Sequence, residues 1–111
     1  MPSKELNEWQ KEFKIKELTE KDLENFEELI FADKDKIDRP MSQTKHGWML
    51  RWAIRSGWIE SPVCETKEVD GVTVYMYGGK SVDDMHGGAV RWIGQKIDAA
   101  YTDATSVPKN L

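Results

Sequence analysis

One cysteine, two histidines and no long apolar run set the first limits on this chain of 111 residues. A lone Cys64 cannot close an internal disulfide, which excludes a disulfide-stapled secreted fold and fits a reducing compartment. No stretch approaches the roughly 20 apolar residues of a spanning helix, so no membrane association is expected. The opening Met1-Pro2-Ser3-Lys4-Glu5 lacks the apolar segment of a secretory signal, and a cytoplasmic location is the expectation. Internal repeats and low-complexity tracts are missing as well. What the chain does have is charge, at 32%, and aromatic side chains: five Trp, three Tyr and three Phe. That content is too rich for a wholly disordered segment, and the length suits one compact domain.

Sixteen basic residues stand against twenty acidic ones, for a net charge of −4. Nucleic-acid modules need a Lys or Arg for each phosphate they neutralise, so no nucleic-acid partner is expected. The charges are segregated. Acids dominate from Glu17 to Asp38, and Arg39, Lys45, Arg51 and Arg55 follow. Solvated helix faces of opposite sign account for this, and such a dipolar surface would also orient a protein partner or a second copy.

Along the chain, residues 1–12 read as a flexible arm, 13–105 as a single globular domain and 106–111 as an extended tail after Pro108. Phe13-Lys-Ile15-Lys-Glu17 alternates apolar and charged residues like a short half-buried strand. Thr19-Glu-Lys-Asp22 is a helix start: the hydroxyl can cap the backbone N–H of Asp22, and acids suit the positive end of the dipole. Leu23, Phe26, Leu29 and Ile30 then mark a helix over about Glu20–Phe31. Asp33 to Met41 reads as a loop. A second helix is expected from Ser42 to about Ser56, stopped by Gly57. Apart from Lys45, Arg51 and Arg55 it is apolar nearly all round, so it belongs to the core or to an interface; Gly47 weakens its first turn.

Trp58 to Pro62 leaves that helix in extended form. Cys64–Val69 and Val72–Tyr77 flank Asp70-Gly71, a dipeptide suited to a two-residue hairpin turn, with Val72, Val74 and Met76 on one face and Thr73, Tyr75 and Tyr77 on the other. Gly78-Gly79 ends the hairpin, Ser81-Val-Asp-Asp84 signals another helix start, and Gly87-Gly88 separates a short turn from a longer helix. Val90, Ile93, Ile97, Tyr101 and Ala104 form its apolar stripe. The expected fold is therefore α+β and mostly helical, with three main helices, a β-hairpin between the second and third, and a short first strand beside that hairpin.

Residues that could carry chemistry are few and poorly arranged. Cys64 has only His46 and His86 as potential partners, and a strand cysteine packing as a small hydrophobe explains it. Asp33, Asp35 and Asp38 imitate the start of a calcium loop, but its glycine and closing Glu are missing. Asp83, Asp84 and His86 crowd a helix start without the spacing of a zinc site. Gly78-Gly79-Lys80-Ser81 resembles the end of a phosphate loop without its first glycine. Arg51 and Arg55 ahead of a hairpin resemble a winged DNA-binding element in outline, yet the hairpin tip, Glu68-Val-Asp-Gly71, is acidic. No catalytic, cofactor-binding or metal-binding residue is assigned, and the chain is not expected to be an enzyme.

The aromatics point elsewhere. Most would pack in the core, but a domain this small cannot easily enclose eleven rings, and any left at the surface are natural interface anchors. Trp48, Trp52, Trp58, Trp92 and Tyr101 are the candidate protein-binding residues on that ground, with self-association among the options.

Three segments taken together resemble the tail assembly chaperones of long-tailed bacteriophages. They are Phe13–Leu23, a strand running into a capped helix; Met49–Pro62, a helix ending in Gly57 with a Glu60-Ser-Pro62 exit; and Gly88–Ile97, leading to Tyr101 and the Pro108 tail. The Cys64–Tyr77 hairpin departs from the family by being longer than the plain loop expected there. The resemblance implies a small, largely helical cytoplasmic protein, absent from the finished virion, that coats the tape-measure protein and recruits tail-tube subunits. A longer version made by ribosomal frameshifting often accompanies it. Another phage or prophage structural component, such as a connector or small tail protein, is the alternative.

Overall fold

The computed structural model describes residues 12–33 and 43–106. Most of the arm expected over 1–12, the loop beyond Asp33 and the tail beyond Ser106 lie outside the described residues. In order, the elements are β1 (Lys14–Ile15), α1 (Glu20–Ala32), α2 (Gln43–Arg55), β2 (Ile59–Ser61), β3 (Cys64–Val69), β4 (Val72–Tyr77), β5 (Lys80–Ser81), a 3-10 turn (Val82–Asp84) and α3 (Gly87–Thr105). Among the described residues, three helices and two small antiparallel sheets make a mixed α+β fold.

Helix α1 begins where the local chemistry dictates. The Asp22 backbone N–H donates to Thr19 Oγ1 at 3.3 Å, and the Thr19 N–H donates to Asp22 Oδ2 at 2.9 Å, a reciprocal capping box. The carboxylate also takes Lys16 Nζ at 2.9 Å. The Thr19 backbone bond first, and Lys16 next, hold the Asp22 carboxyl below the usual carboxylate range.

Helix α2 is the centre of the core, with Met49, Leu50, Trp52, Ala53 and Ile54 buried on it. Its main neighbour is α3, which contributes Ala89, Ile93 and Ile97. The two backbones approach closely at Gly94. A Cβ added there would fall 2.7 Å from the His46 carbonyl carbon and nearer still to its oxygen. Gly47, which looks in the sequence like a weak point of α2, is also buried, and a Cβ on it would meet Val90 of α3 at 3.8 Å. Gly94 thus sets their separation; at Gly47 the nearest atom would be Arg51 Nη1 of its own helix, at 3.1 Å, and the Val90 distance is an ordinary contact.

Around this pair the strands take two places. The first strand does not lie beside the hairpin; β1 pairs with β2, the extended exit from α2, and Lys16 N–H donates to Trp58 O at 2.9 Å. Pairing there satisfies the backbone of the segment that follows α2, and the Ser61–Pro62 peptide after it is cis.

Strands β3 and β4 pair from Cys64↔Tyr77 to Val69↔Val72 across Asp70-Gly71, whose φ values of 51° and 77° are the two positive angles this turn requires. Gly78-Gly79 forms a second tight turn, and Lys80-Ser81 folds back on β4 as a third strand. That strand occupies part of the segment read as a helix start; the helical signal survives in the 3-10 turn, where Ser81 Oγ accepts from the Asp83 N–H. His86 then caps α3 through Nδ1, which accepts from the Gly88 N–H at 3.0 Å.

Of the two faces of β4, the tyrosine face turns inward: Tyr77 is fully buried and Tyr75 nearly so, whereas Val72 is 63% exposed. Both tyrosines join the core cluster, Tyr75 with its ring edge-on to Trp48 of α2.

Candidate functional site

Five aromatic residues carry the expectation of a protein-binding surface, and the structure divides them. Trp52 and Trp58 are enclosed, at 1% and 0% exposure. Both indoles tie down α1. Trp58 Nε1 donates to the Asp22 carbonyl at its start, 3.1 Å, and Trp52 Nε1 donates to Asp33 Oδ2 at its C-cap, 2.8 Å. Phe26 from α1 stacks on Trp58 with centroids 4.1 Å apart and meets Trp52 edge-on at 6.1 Å. A buried indole needs a partner for its N–H, and here each partner is an end of the same helix. These two side chains are therefore clamps of the core, and neither can touch a partner while the fold is intact.

Tyr101 is intermediate. It is half-buried, packing on Phe26 at 5.5 Å and stacking on Trp58 at 6.4 Å. Burial first, then the charge of Glu27, pushes its phenol above the ordinary value. Trp92 is half-buried on α3, edge-on to Phe13 at 6.0 Å, with Lys96 Nζ over its ring at 5.3 Å.

Trp48 is half-buried on α2 and has the most varied surroundings. Its ring lies edge-on to Tyr75 at 6.4 Å, and the Arg51 guanidinium sits 5.0 Å from its centroid. Arg51 is engaged elsewhere too, donating to Asp83 Oδ1 at 2.6 Å and so linking α2 to the 3-10 turn. That pairing leaves Arg55 and Lys45 as the exposed cations of the basic stripe.

Trp48 and Tyr75 form the wall of a cleft of about 370 Å³ between α2 and the turn end of the hairpin, closed by Asp33, Arg55, Val72 and Thr73. It joins an aromatic wall, an exposed valine, one cation and one carboxylate, which suits an apolar side chain flanked by polar groups. Of its lining, only Trp48 was among the candidate residues. The others were missed because α2 and the hairpin tip are brought together by tertiary packing. The alternation of Thr73, Tyr75 and Tyr77 opposite the valines was the one signal that could have marked Tyr75.

The remaining candidates separate by environment. Cys64 is half-buried, its Sγ donates to the Pro62 carbonyl at 3.3 Å, and burial pushes its thiol up to about 11. A thiol held protonated is a weak nucleophile. Lys80 and Ser81 lie on a short strand that leads into a three-residue 3-10 turn, not at the head of an α-helix as a phosphate loop requires. Asp35 and Asp38 lie outside the described residues, and among those described no three His, Cys, Asp or Glu side chains are grouped to hold a metal ion. No helix among them is long and apolar enough to cross a membrane. Comparison with protein families, characterised proteins and solved structures returns no match.

Proposed function

We propose that this chain is a non-catalytic protein-binding protein, and more specifically that it serves as a tail assembly chaperone of a long-tailed phage, acting in the cytoplasm of the bacterial host. The supporting observation is the cleft walled by Trp48 and Tyr75 and rimmed by Arg55 and Asp33. A tape-measure protein is a long, apolar helical chain that needs many copies of a partner before the tail tube closes around it. A shallow aromatic cleft with a charged rim takes one apolar side chain of such a helix and keeps the rest in register. The half-buried Trp92 and Tyr101 offer further aromatic contact on α3. Tail-tube subunits are the second class of partner in this reading.

The test is co-purification from the host while the neighbouring genes are expressed. Recovery of a very long helical protein or a tail-tube subunit, lost on Trp48→Ala with the fold retained, is the expected result. Recovery within finished particles would make the chain a structural component of the virion instead. Nucleic acid that co-purifies and washes off with salt would overturn the reading.

A further inference from the structure

The three-stranded sheet has the order β3-β4-β5, so β3 is an edge strand. Among the described residues nothing pairs with its outer side, and Glu65 to Val69 are exposed. Natural edges of this length are guarded by charge, proline, a bulge or cover; β3 has an unbroken six-residue register with β4 and, of these, only charge. What it has is charge in a particular order: Cys64-Glu65-Thr66-Lys67-Glu68-Val69.

The turn decides which backbone groups are free. In a two-residue hairpin the flanking residues, Val69 and Val72, bond to each other, so Lys67 and Glu65 also bond inward to β4. The N–H and C=O groups of Cys64, Thr66 and Glu68 therefore point outward along the open edge. An incoming antiparallel strand must match outward groups with outward groups. For a second copy of β3 this permits only registers centred on a residue, never between two residues.

Three central registers remain. Centring on Glu65 sets Glu65 against itself, and centring on Lys67 sets Lys67 against itself; both oppose like charges. Centring on Thr66 pairs Thr66 with Thr66, Cys64 with Glu68, and Glu65 with Lys67 twice. The Glu65–Lys67 pairs fall at the non-hydrogen-bonded positions, where side chains come closest. Within one chain these two already attract, with Lys67 Nζ 3.4 Å from Glu65 Oε1 on the outer face of the sheet. A second copy would complete a four-charge ring of alternating sign. We infer that β3 is a self-association edge, joining two copies of this chain antiparallel about Thr66 into one continuous six-stranded sheet.

The test is sedimentation of the purified full chain over a range of concentrations. Wild type should form a concentration-dependent dimer. Glu65→Lys and Lys67→Glu should each weaken it roughly tenfold or more, because two attractive pairs become repulsive. Mixing the two single variants should restore the dimer, since one strand then presents two lysines to two glutamates, and the double variant Glu65→Lys/Lys67→Glu should dimerise with itself. All four residue changes are on the exposed face, and circular dichroism should show an unchanged fold. A monomeric wild type at every concentration overturns the inference. So does a dimer that survives each single charge change, which would place the contact elsewhere or in another register. The outcome is independent of which partner proteins the chain binds.

Discussion

Replacing Gly94 with Ala places a methyl group against the backbone of α2. The new Cβ would stand 2.7 Å from the His46 carbonyl carbon and 2.8 Å from the His46 Cβ, with the carbonyl oxygen closer than either. A side chain in the way could rotate aside, but a main-chain carbonyl inside a helix cannot, so α2 and α3 must move apart along the principal contact of the core. Overpacking of this kind costs about 1–3 kcal/mol, and a backbone obstacle argues for the upper end. Against it stands the helix propensity of Ala over Gly, about 1 kcal/mol. The net expectation is a loss of about 2 kcal/mol, or roughly 10 °C in Tm for a domain of this size. Gly87→Ala at the start of α3 is the control, because nothing lies within 4 Å of its added Cβ and propensity alone acts. Thermal and urea unfolding followed by circular dichroism measure both. Gly94→Ala as stable as wild type, or more so, would refute the close packing of these helices.

Thr19→Ala removes the acceptor that caps α1 and should cost about 1 kcal/mol by urea unfolding. Because the Asp22 carboxyl is held low in the folded state, its contribution is complete above about pH 4 and is lost as pH falls through the lowered value. Asp22→Asn should therefore flatten the acid limb of a stability profile, and an unchanged limb would count against the capping box. Trp58→Ala should destabilise by about 3–5 kcal/mol, since it empties the core and frees the start of α1. Trp92→Ala should cost less, roughly 1 to 2 kcal/mol, and equal losses would contradict their different burial. At the alkaline end, burial raises the Cys64 thiol to about 11, and burial, then the charges of Cys64 and Glu12, push the Tyr77 phenol higher still. Both groups ionise more readily unfolded, so stability should fall as pH rises from about 9 towards 11, and less steeply in Tyr77→Phe. A flat profile across that window would be inconsistent with their burial. The same shift predicts slow alkylation of Cys64 at pH 8 in the native protein and faster reaction in urea.

Local chemistry in the sequence was enough for several elements. Thr19 and Asp22 start α1 because a hydroxyl and a carboxylate three residues apart can satisfy each other's backbone without help from the rest of the chain. Gly57, at a φ of 73°, ends α2 for an equally local reason, and the apolar residues from Trp48 to Ile54, interrupted by Arg51 alone, made that helix central whatever surrounds it. The stripe of Ile93 and Ile97 on α3 likewise needed only helical periodicity. Other features depended on distance in space. Alternation in β4 separates tyrosines from valines but does not say which set faces the core; the position of the sheet beside α2 made it the longer rings. β1 carried a strand pattern, but only folding chose the exit of α2 as its partner. The five aromatic candidates are alike in composition. What separates Trp52 and Trp58 from Trp48 is that two ends of α1 lie within reach of their indole N–H groups, while Trp48 faces the gap between α2 and the hairpin. Periodicity and capping act over a few residues and can be read directly, whereas burial, close approach and clefts arise from residues far apart in the chain, and only the tertiary structure brings those together.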